Sequence, residues 1–411
     1  MGIDFTLSDR QRTLRDLVRT FAASIVRPIS LQADRDKQVP EDLLLKIQMM
    51  GASMASMGGV RAELGGDDGG EAPTDKKPKS TNRTVMIAAE EMGWGDASVL
   101  LSLPGPGLGG PPVRSHGTAE QKKRFFSIFD DPTQLRWGSY GLTEPGAGSD
   151  VAAIQTTCRR DGDSWVLNGT KCYITNGARA SWVVIFATVD PSLGRAGHRA
   201  FVVEQGTPGF SVGKIEDKLG LRASQTVELV LEDCRVPADN LLGGDERYAE
   251  RAKAGFMAAM QTFDSTRPMV GIIAVGIGRA AYEHARDFVR DRYILTRPVP
   301  RYRVIADRLA QMKRRLDAAR LLCWRAAWMA DLGIPNSREA SMAKAAGAQA
   351  AVSACTEAID IVGAHGLFED GEHALLCKWF RDIKVFDIFE GTGQIQRIVI
   401  SKRLFEGLRG F

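Results

Sequence analysis

The chain has 411 residues, of which 44% are hydrophobic and 25% charged; this is ordinary globular usage and excludes a predominantly disordered or low-complexity protein. Lysine and arginine total 54 against 50 for aspartate and glutamate, so the net charge of +4 is too small to indicate nucleic acid or an anionic membrane as the main partner. No apolar run approaches the roughly 18–20 residues that span a bilayer, and the N-terminus has no signal-peptide core, so a cytoplasmic protein is expected.

Residues 1–135 are predicted to form an α-helical domain. Apolar residues recur at helical spacing after Ser8, which with Gln11 has the pattern of a capping box, and Thr118 is predicted to cap a later helix. The glycine- and proline-rich segment 65–80 lacks the apolar content to pack and is predicted to be an exposed loop.

Residues 136–245 are predicted to form a β domain, because the apolar period changes to two. The segments 165–167 and 170–175 flank the dipeptide Asn168-Gly169, which is typical of a type I′ turn and predicts a hairpin. Further strands are predicted at 182–188, 201–204 and 226–231.

Residues 246–411 again have helical periodicity, and the helices are long enough to predict a bundle. The predicted helical segments are 252–262, 269–292, 305–332, 338–362 and 374–408. Within the second segment, Gly276, Gly278 and Ala281 match the G-x-G-x-x-A fingerprint of nicotinamide dinucleotide binding. No second strand follows, so close packing of two helices is the preferred interpretation.

Three features indicate ligand chemistry, each beside a plainer alternative. The glycine-rich loop 140–150 either lets backbone amides approach a phosphate or a planar ring, or it is a simple connector between elements. Between residues 286 and 320 there are eleven basic residues and only four acidic ones. This excess of positive charge is typical either of a site for a pyrophosphate or of a solvated helix surface. Glu390, flanked by Ile388 and Phe389, is either a desolvated base or an acid at a helix start. The six scattered cysteines and five histidines form no metal motif, so no metal is expected.

Six segments in this order resemble the acyl-CoA dehydrogenase family, FAD-dependent enzymes that oxidise acyl-CoA thioesters. The resemblance implies an α+β multidomain fold with an N-terminal α-helical domain, a middle β-barrel domain and a C-terminal four-helix bundle, in agreement with the three stretches above. The segments that carry it are Ala89-Glu-Glu-Met-Gly-Trp-Gly-Asp-Ala-Ser98, His116-Gly-Thr-Ala-Glu-Gln-Lys-Lys123, Leu142-Thr-Glu-Pro-Gly-Ala-Gly-Ser-Asp150, Asn168-Gly-Thr-Lys-Cys-Tyr-Ile-Thr-Asn-Gly177, Phe263-Asp-Ser-Thr-Arg267 and Glu390-Gly-Thr-Gly-Gln-Ile-Gln-Arg397.

The resemblance implies that Glu390 is the catalytic base, which takes the α-proton while the β-hydride passes to the flavin, giving a trans-2-enoyl-CoA. The Glu390 amide and a flavin hydroxyl would hold the thioester oxygen. Thr266 occupies the position where some relatives carry the base, and a threonine cannot serve. The implied FAD contacts are Tyr140, Leu142, Thr143, Gly148, Ser149, Tyr173, Thr175, Thr392 and Gln394. The implied contacts to the acyl-CoA substrate are Ser149, Asp264, Arg267 and Gly391.

One segment departs from the family pattern. Arg292, implied to reach FAD across a subunit interface, is retained, but the usual phenylalanine-glycine pair is Leu295-Thr296 and a usual glutamine is Asp360. The resemblance implies an electron-transfer flavoprotein as partner and a homotetramer, or a hetero-oligomer with a related subunit. Two alternatives stay open, namely a flavin oxidase or monooxygenase on the same fold, and a subunit that chiefly completes a partner's site.

Overall fold

The computed structural model describes residues 3–58, 81–250, 253–290, 292–294 and 297–406, without the side chains of 52–58, 258, 261, 262, 264, 265, 293, 294 and 300. The predicted loop at 65–80 lies outside these residues, as does Leu295-Thr296. The N-terminal part is helical, with helices α1 (Asp9–Phe21), α2 (Arg27–Asp36), α3 (Glu41–Gly58), α4 (Thr81–Ser102), α5 (Gly110–His116) and α6 (Ala119–Ser127).

The predicted capping box at Ser8 and the predicted cap at Thr118 are confirmed. Ser8 Oγ accepts a hydrogen bond from the Gln11 amide at 3.2 Å, and the Gln11 side chain accepts one from the Ser8 amide at 3.2 Å. Thr118 and Gln121 repeat the arrangement at the start of α6. Each box satisfies backbone amides that the first turn of a helix leaves without partners.

The middle part is a curled, half-barrel sheet of seven strands. Its hydrogen-bonded order is β1-β4-β2-β3-β7-β6, and β5 pairs with β4. The strands are β1 (Gly138–Gly141), β2 (Thr157–Asp161), β3 (Ser164–Thr175), β4 (Trp182–Thr188), β5 (His198–Glu204), β6 (Phe210–Ile215) and β7 (Thr226–Pro237). The three strands predicted at 182–188, 201–204 and 226–231 are therefore confirmed as parts of β4, β5 and β7.

The hairpin predicted at Asn168-Gly169 is wrong, because both residues lie inside strand β3. The Asn168 side chain accepts a hydrogen bond from the Asp233 amide at 2.7 Å and donates one to the Asp233 carboxylate at 3.1 Å. The ladder with β7 shifts register here, because Glu232 and Asp233 of β7 both lie opposite Asn168, so the dipeptide faces a β-bulge on β7 instead of forming a turn. The hairpin turn lies earlier, between Asp161 and Ser164.

The C-terminal part is a helical bundle. Its elements are α7 (Gly244–Glu250), α8 (Ala254–Arg290), the short strands β8 (Tyr293–Ile294) and β9 (Arg297–Pro298), α9 (Arg303–Asp331), α10 (Ser337–Val362), α11 (Ala374–Ile383) and α12 (Gly393–Leu404). Helix α8 continues through Pro268, so the predicted segments 252–262 and 269–292 are one helix. The prediction of one helix over 374–408 is wrong, because α11 ends at Ile383, a 3₁₀ turn follows at Lys384–Asp387, and residues 388–392 are not helical before α12 begins.

The glycine-rich fingerprint lies within α8, which confirms the helix-packing interpretation. A Cβ at Gly276 would collide with the carbonyl oxygen of Glu90 on α4, and one at Gly278 would lie 2.8 Å from the Cα of Ala351 on α10. The fingerprint glycines thus allow α8 to pack tightly against two helices. Among the described residues, all six cysteines are free and buried, and no helix is long and apolar enough to cross a membrane.

Candidate active site

The loop between α11 and α12 contains the strongest candidate, Glu390. Glu390 and Gly391 have left-handed backbone conformations, with φ of 54° and 90°. Glycine adopts this region freely, whereas a non-glycine residue held there costs about 1–3 kcal/mol and such strain clusters at functional sites. Thr392 then caps α12, its hydroxyl accepting a hydrogen bond from the Ile395 amide at 3.2 Å. The sequence Glu-Gly-Thr therefore forms the turn that leads into α12 and presents one carboxylate.

The Glu390 carboxylate is held by a hydroxyl. Thr266 on α8 donates a short hydrogen bond to Glu390 Oε2. The residue is partly exposed, yet its carboxyl lies deep enough that burial raises the pKa of Glu390 above its usual value. The Thr266 hydrogen bond and the charges of Arg267 and Lys344 reduce this rise without reversing it. Of the two alternatives for Glu390, this environment favours the desolvated base, and a desolvated carboxylate of raised pKa suits general-base chemistry near neutral pH.

The other side of the Glu390 loop rests on α10. Lys344 Nζ donates a hydrogen bond of 2.8 Å to the Gly391 carbonyl, and Gln396 Nε2 donates one of 2.9 Å to the same oxygen. Lys344 is fully buried, and burial lowers its pKa to about 8. The loop is therefore attached to α8 through the carboxylate and to α10 through the backbone.

Strand β1 brings Tyr140 to the same site. The Tyr140 ring lies 5.0 Å from the ring of Phe186 and 6.0 Å from that of Phe263, measured between centroids. Burial raises the pKa of Tyr140 well above its usual value, and the nearby charge of Glu390 adds to the rise. The Tyr140 hydroxyl is buried and has no hydrogen-bond partner among the described residues, so it is an unsatisfied polar group near the candidate base.

The loop after β1 is fastened to strand β3 through its backbone. The Leu142 carbonyl accepts a hydrogen bond from Lys171 Nζ at 3.1 Å, and the Thr143 carbonyl accepts one from the Cys172 amide at 2.9 Å. Lys171 also forms a buried ion pair of 2.6 Å with Glu144. These contacts hold the first residues of the loop in place, whereas its later residues Gly148 and Ser149 are exposed.

The end of β3 presents an aromatic ring to solvent. Tyr173 is 66% exposed and has a left-handed φ of 60°. Two residues on, the Thr175 carbonyl accepts a hydrogen bond of 2.9 Å from Ser139 Oγ on β1, which ties the two strands together. An exposed tyrosine held in a strained conformation is the kind of surface on which a planar ligand packs.

The chain matches three family models. They are the acyl-CoA dehydrogenase N-terminal domain over residues 8–128, the middle domain over 139–234 and the C-terminal domain over 253–405. The chain belongs to the acyl-CoA dehydrogenase family. It is therefore an oxidoreductase of a flavin-dependent family, and the three-part fold implied by the sequence is confirmed.

Individual relatives of this family agree over nearly full length. The short-chain specific acyl-CoA dehydrogenase of Clostridium acetobutylicum is 35% identical over 405 residues, which cover 98% of this chain and 100% of that protein. The structure of butyryl-CoA dehydrogenase from Megasphaera elsdenii has a TM-score of 0.85 at 34% identity and covers 98% of this chain and 100% of that one. A structure described as the electron transferring flavoprotein of Acidaminococcus fermentans has a TM-score of 0.84 at 33% identity, with 98% and 100% coverage.

The remaining family positions are partly assembled around Glu390. Arg267 is buried on α8 directly after Thr266, with its guanidinium carbon 5.8 Å from the centre of the Phe263 ring. Gly391 and Thr392 follow Glu390 in the loop, and Gln394 is exposed in the first turn of α12. The backbone of Asp264 is part of α8, and its side chain lies outside the described residues.

Arg292 is the family position that the fold does not bring to this site. It follows the C-terminal end of α8, where Arg290 stands 24 positions beyond Thr266. That spacing corresponds to about 36 Å along the helix at roughly 1.5 Å per residue. Arg292 instead lines a cavity of about 650 Å³ with Arg27, His284 and His373. Within one chain of this acyl-CoA dehydrogenase family member, Arg292 cannot contact the loop of Glu390.

Two contacts of the loop that carries Glu390 do not follow from the sequence, one to Glu390 itself and one to Gly391. The family resemblance indicates Thr266 only as a position unable to act as base, whereas Thr266 donates a hydrogen bond to Glu390. The contact of Lys344 is also not predicted, although a lysine between Ala343 and Ala345 on an apolar helix can indicate a buried polar contact.

Proposed function

We propose that this chain is an FAD-dependent acyl-CoA dehydrogenase that converts a short-chain acyl-CoA thioester to the trans-2-enoyl-CoA. The observation that carries the proposal is the environment of Glu390. Its carboxyl is desolvated, its pKa is raised, and it accepts a hydrogen bond from Thr266 while forming no ion pair with any cation in the described part of the chain. Family membership supports the reaction, and the short-chain specific relatives support the substrate class.

In this mechanism Glu390 removes the α-proton of the substrate. A raised pKa makes the carboxylate a stronger base than an exposed glutamate, and the hydrogen bond from Thr266 keeps its oxygen aimed into the site. The Glu390 amide would hold the thioester oxygen, which stabilises the charge that develops there when the proton leaves. Ser149, Asp264, Arg267 and Gly391 would bind the acyl-CoA.

The described residues fit FAD. Tyr173 has an exposed ring on which a planar group could pack. Gly148 and Ser149 are exposed, and there is open space beside the Cα of Gly148. The buried Tyr140 hydroxyl has no hydrogen-bond partner among the described residues. When bound, FAD supplies the two-electron acceptor for the hydride of the β-carbon. The residues that would hold it are Tyr140, Leu142, Thr143, Gly148, Ser149, Tyr173, Thr175, Thr392 and Gln394.

The same proposal extends to partners. An electron-transfer flavoprotein would take the electrons, and a homotetramer, or a hetero-oligomer with a related subunit, would assemble in the cytoplasm. Because about 36 Å of helix separates Arg292 from Thr266, any contact of Arg292 with FAD would be made to the flavin of a neighbouring subunit. We also propose domain limits at 1–135, 136–245 and 246–411.

A spectroscopic titration tests the proposed reaction. The protein, purified and supplied with FAD, is mixed anaerobically with butyryl-CoA, octanoyl-CoA, palmitoyl-CoA or isobutyryl-CoA while the visible flavin band is recorded. Bleaching by butyryl-CoA in preference to the longer chains is expected, with a trans-2-enoyl-CoA as product. A bound flavin that no acyl-CoA bleaches would contradict the proposed reaction, and rapid reoxidation of the bleached protein by oxygen would favour an oxidase.

A further inference from the structure

Three lysines of the described chain are fully buried, and only one of them lacks a carboxylate partner. Lys171 pairs with Glu144 at 2.6 Å, and Lys378 pairs with Asp96 at 2.9 Å and with Asp382 at 2.5 Å. Lys344 forms no ion pair with any described residue, and its hydrogen bond goes to the Gly391 carbonyl. A buried ammonium without a counterion costs free energy, so this position calls for an explanation beyond packing.

The contact of Lys344 falls on the loop that carries the base. The Gly391 carbonyl accepts hydrogen bonds from Lys344 at 2.8 Å and from Gln396 at 2.9 Å, and Gln396 also donates to the Glu390 carbonyl at 3.4 Å. These donors come from α10 and α12, on either side of the loop. Two donors on one carbonyl oxygen fix the plane of the peptide that follows Gly391, where φ is already left-handed.

The charge of Lys344 also acts on the base. The charged groups that face Lys344 are Asp387 and Glu390, which favour its protonated form, and Arg267, which opposes it. In return, Lys344 and Arg267 both favour the ionised form of Glu390, together with the Thr266 hydrogen bond. Lys344 therefore donates a hydrogen bond to the backbone of the loop and also favours the ionised form of the Glu390 carboxylate.

We propose that Lys344 is a positioning residue of the dehydrogenation. Its ammonium holds the Gly391 carbonyl, and thereby the left-handed turn that presents both the carboxylate and the amide of Glu390 to the substrate. This inference rests on the proposed function, because it assigns Lys344 a role in a reaction carried out by Glu390.

The test compares two variants of the FAD-loaded protein. Lys344→Met keeps the length of the side chain but removes the donor and the charge, whereas Lys344→Gln keeps a donor and removes the charge. Lys313→Met, at an exposed position on α9, is the matched control. For each, anaerobic flavin reduction by butyryl-CoA is measured over a range of pH, with separate values for the maximal rate and the half-saturating concentration.

Lys344→Met is expected to lower the maximal rate by about 10–100-fold, the cost of a misplaced catalytic group, with little change in half-saturation. The acid limb of its pH profile is expected to move to higher pH, because the loss of a positive charge raises the pKa of Glu390. Lys344→Gln is expected to retain more of the rate but to show the same displaced limb. The Lys313→Met control is expected to match the parent.

A Lys344→Met protein with the rate and acid limb of the parent would overturn the proposal. If that variant fails to fold, Lys344→Gln decides, and an unmoved acid limb in it would likewise overturn the proposal. The Glu390→Gln variant separates this failure from a failure of the proposed function. A parent that reacts while Glu390→Gln does not leaves the function intact, whereas a parent that reacts with no acyl-CoA refutes the function itself.

Discussion

Glu90 and Glu390 are both glutamates with carboxyl groups inside the protein, but they have different neighbours. Glu90 on α4 contacts Arg279 at 2.8 Å and Arg320 at 2.8 Å, whereas Glu390 has a threonine hydroxyl and no ion-pair partner in the described residues. Burial pushes the pKa of Glu90 upward, and the two guanidinium groups more than offset it, so its pKa lies below the usual value. Burial of Glu390 is offset only in part by Thr266, Arg267 and Lys344, and its pKa is raised.

The difference shows that partners, more than burial, decide what a buried carboxylate does. Glu90, which forms ion pairs with Arg279 and Arg320, stays ionised and connects α4 to α8 and α9. A glutamate whose hydrogen-bond donor is neutral, and whose neighbouring cations offset burial only in part, remains able to accept a proton. The predictions below alter one of these two environments and leave the other unchanged.

The largest expected effect comes from Glu390→Gln. The amide has the shape of the carboxylate but cannot take a proton, so the rate of flavin reduction by butyryl-CoA is expected to fall by about 10²–10⁴-fold. Rapid mixing under anaerobic conditions measures this rate. The FAD content and the thermal unfolding midpoint of the variant should match the parent, and a rate near that of the parent would show that another group is the base.

Arg320→Met removes one partner of Glu90 and is expected to destabilise the fold without acting on the site. A buried carboxylate that loses a guanidinium typically costs about 3–5 kcal/mol. Urea unfolding measures the change, with Arg314→Met, an exposed position on α9, as the control. An unchanged midpoint for Arg320→Met would mean that Arg279 alone is a sufficient partner.

Gly276→Ala tests the packing of α8 against the backbone of Glu90. The added methyl group would collide with the Glu90 carbonyl oxygen, and overpacking of this kind costs about 1–3 kcal/mol. The matched control is Gly51→Ala in α3, where a Cβ meets nothing within 4 Å. We expect the control to stabilise the protein slightly and Gly276→Ala to lower the midpoint of thermal unfolding. Equal midpoints would contradict the packing argument.

Thr266→Val is expected to have the smallest effect. It removes the hydrogen bond that favours ionised Glu390, so the pKa of Glu390 rises further. Because the base must be ionised, activity falls as the pH drops through that pKa, and the acid limb of the rate profile should move to higher pH by about one pH unit. At high pH the variant should approach the parent rate. A profile identical to the parent would show that Thr266 does not tune the base.

Much of the fold can be predicted from local signals. The two capping boxes, the strands β4 and β7, and the glycines that let α8 pack closely follow from spacing within a few residues. The Asn168-Gly169 hairpin is mispredicted because Asp233, 65 positions away on β7, pairs with Asn168 and holds the dipeptide inside strand β3, opposite a bulge of β7.

In the candidate site, too, local features can be predicted from the sequence, whereas contacts between distant residues cannot. Glu390 is predictable as a candidate base from its motif, but Ile388, which the sequence suggests as a desolvating neighbour, is 53% exposed. The donors Thr266 and Lys344 are not predictable, because they lie 124 and 47 positions from the groups they contact, and only the packing of α8 and α10 brings them together. The domain limits at residues 135 and 245 stay predictions.

The most direct test of the role of Glu390 is the exchange of the substrate α-proton with solvent. The FAD-loaded protein is incubated anaerobically with butyryl-CoA in D₂O at several pH values, and deuterium at the α-carbon is measured by mass spectrometry. The parent should incorporate deuterium at a rate that declines as the pH falls through the raised pKa of Glu390, and Glu390→Gln should incorporate none above background. Exchange by Glu390→Gln at the parent rate would contradict the assignment of Glu390 as the base.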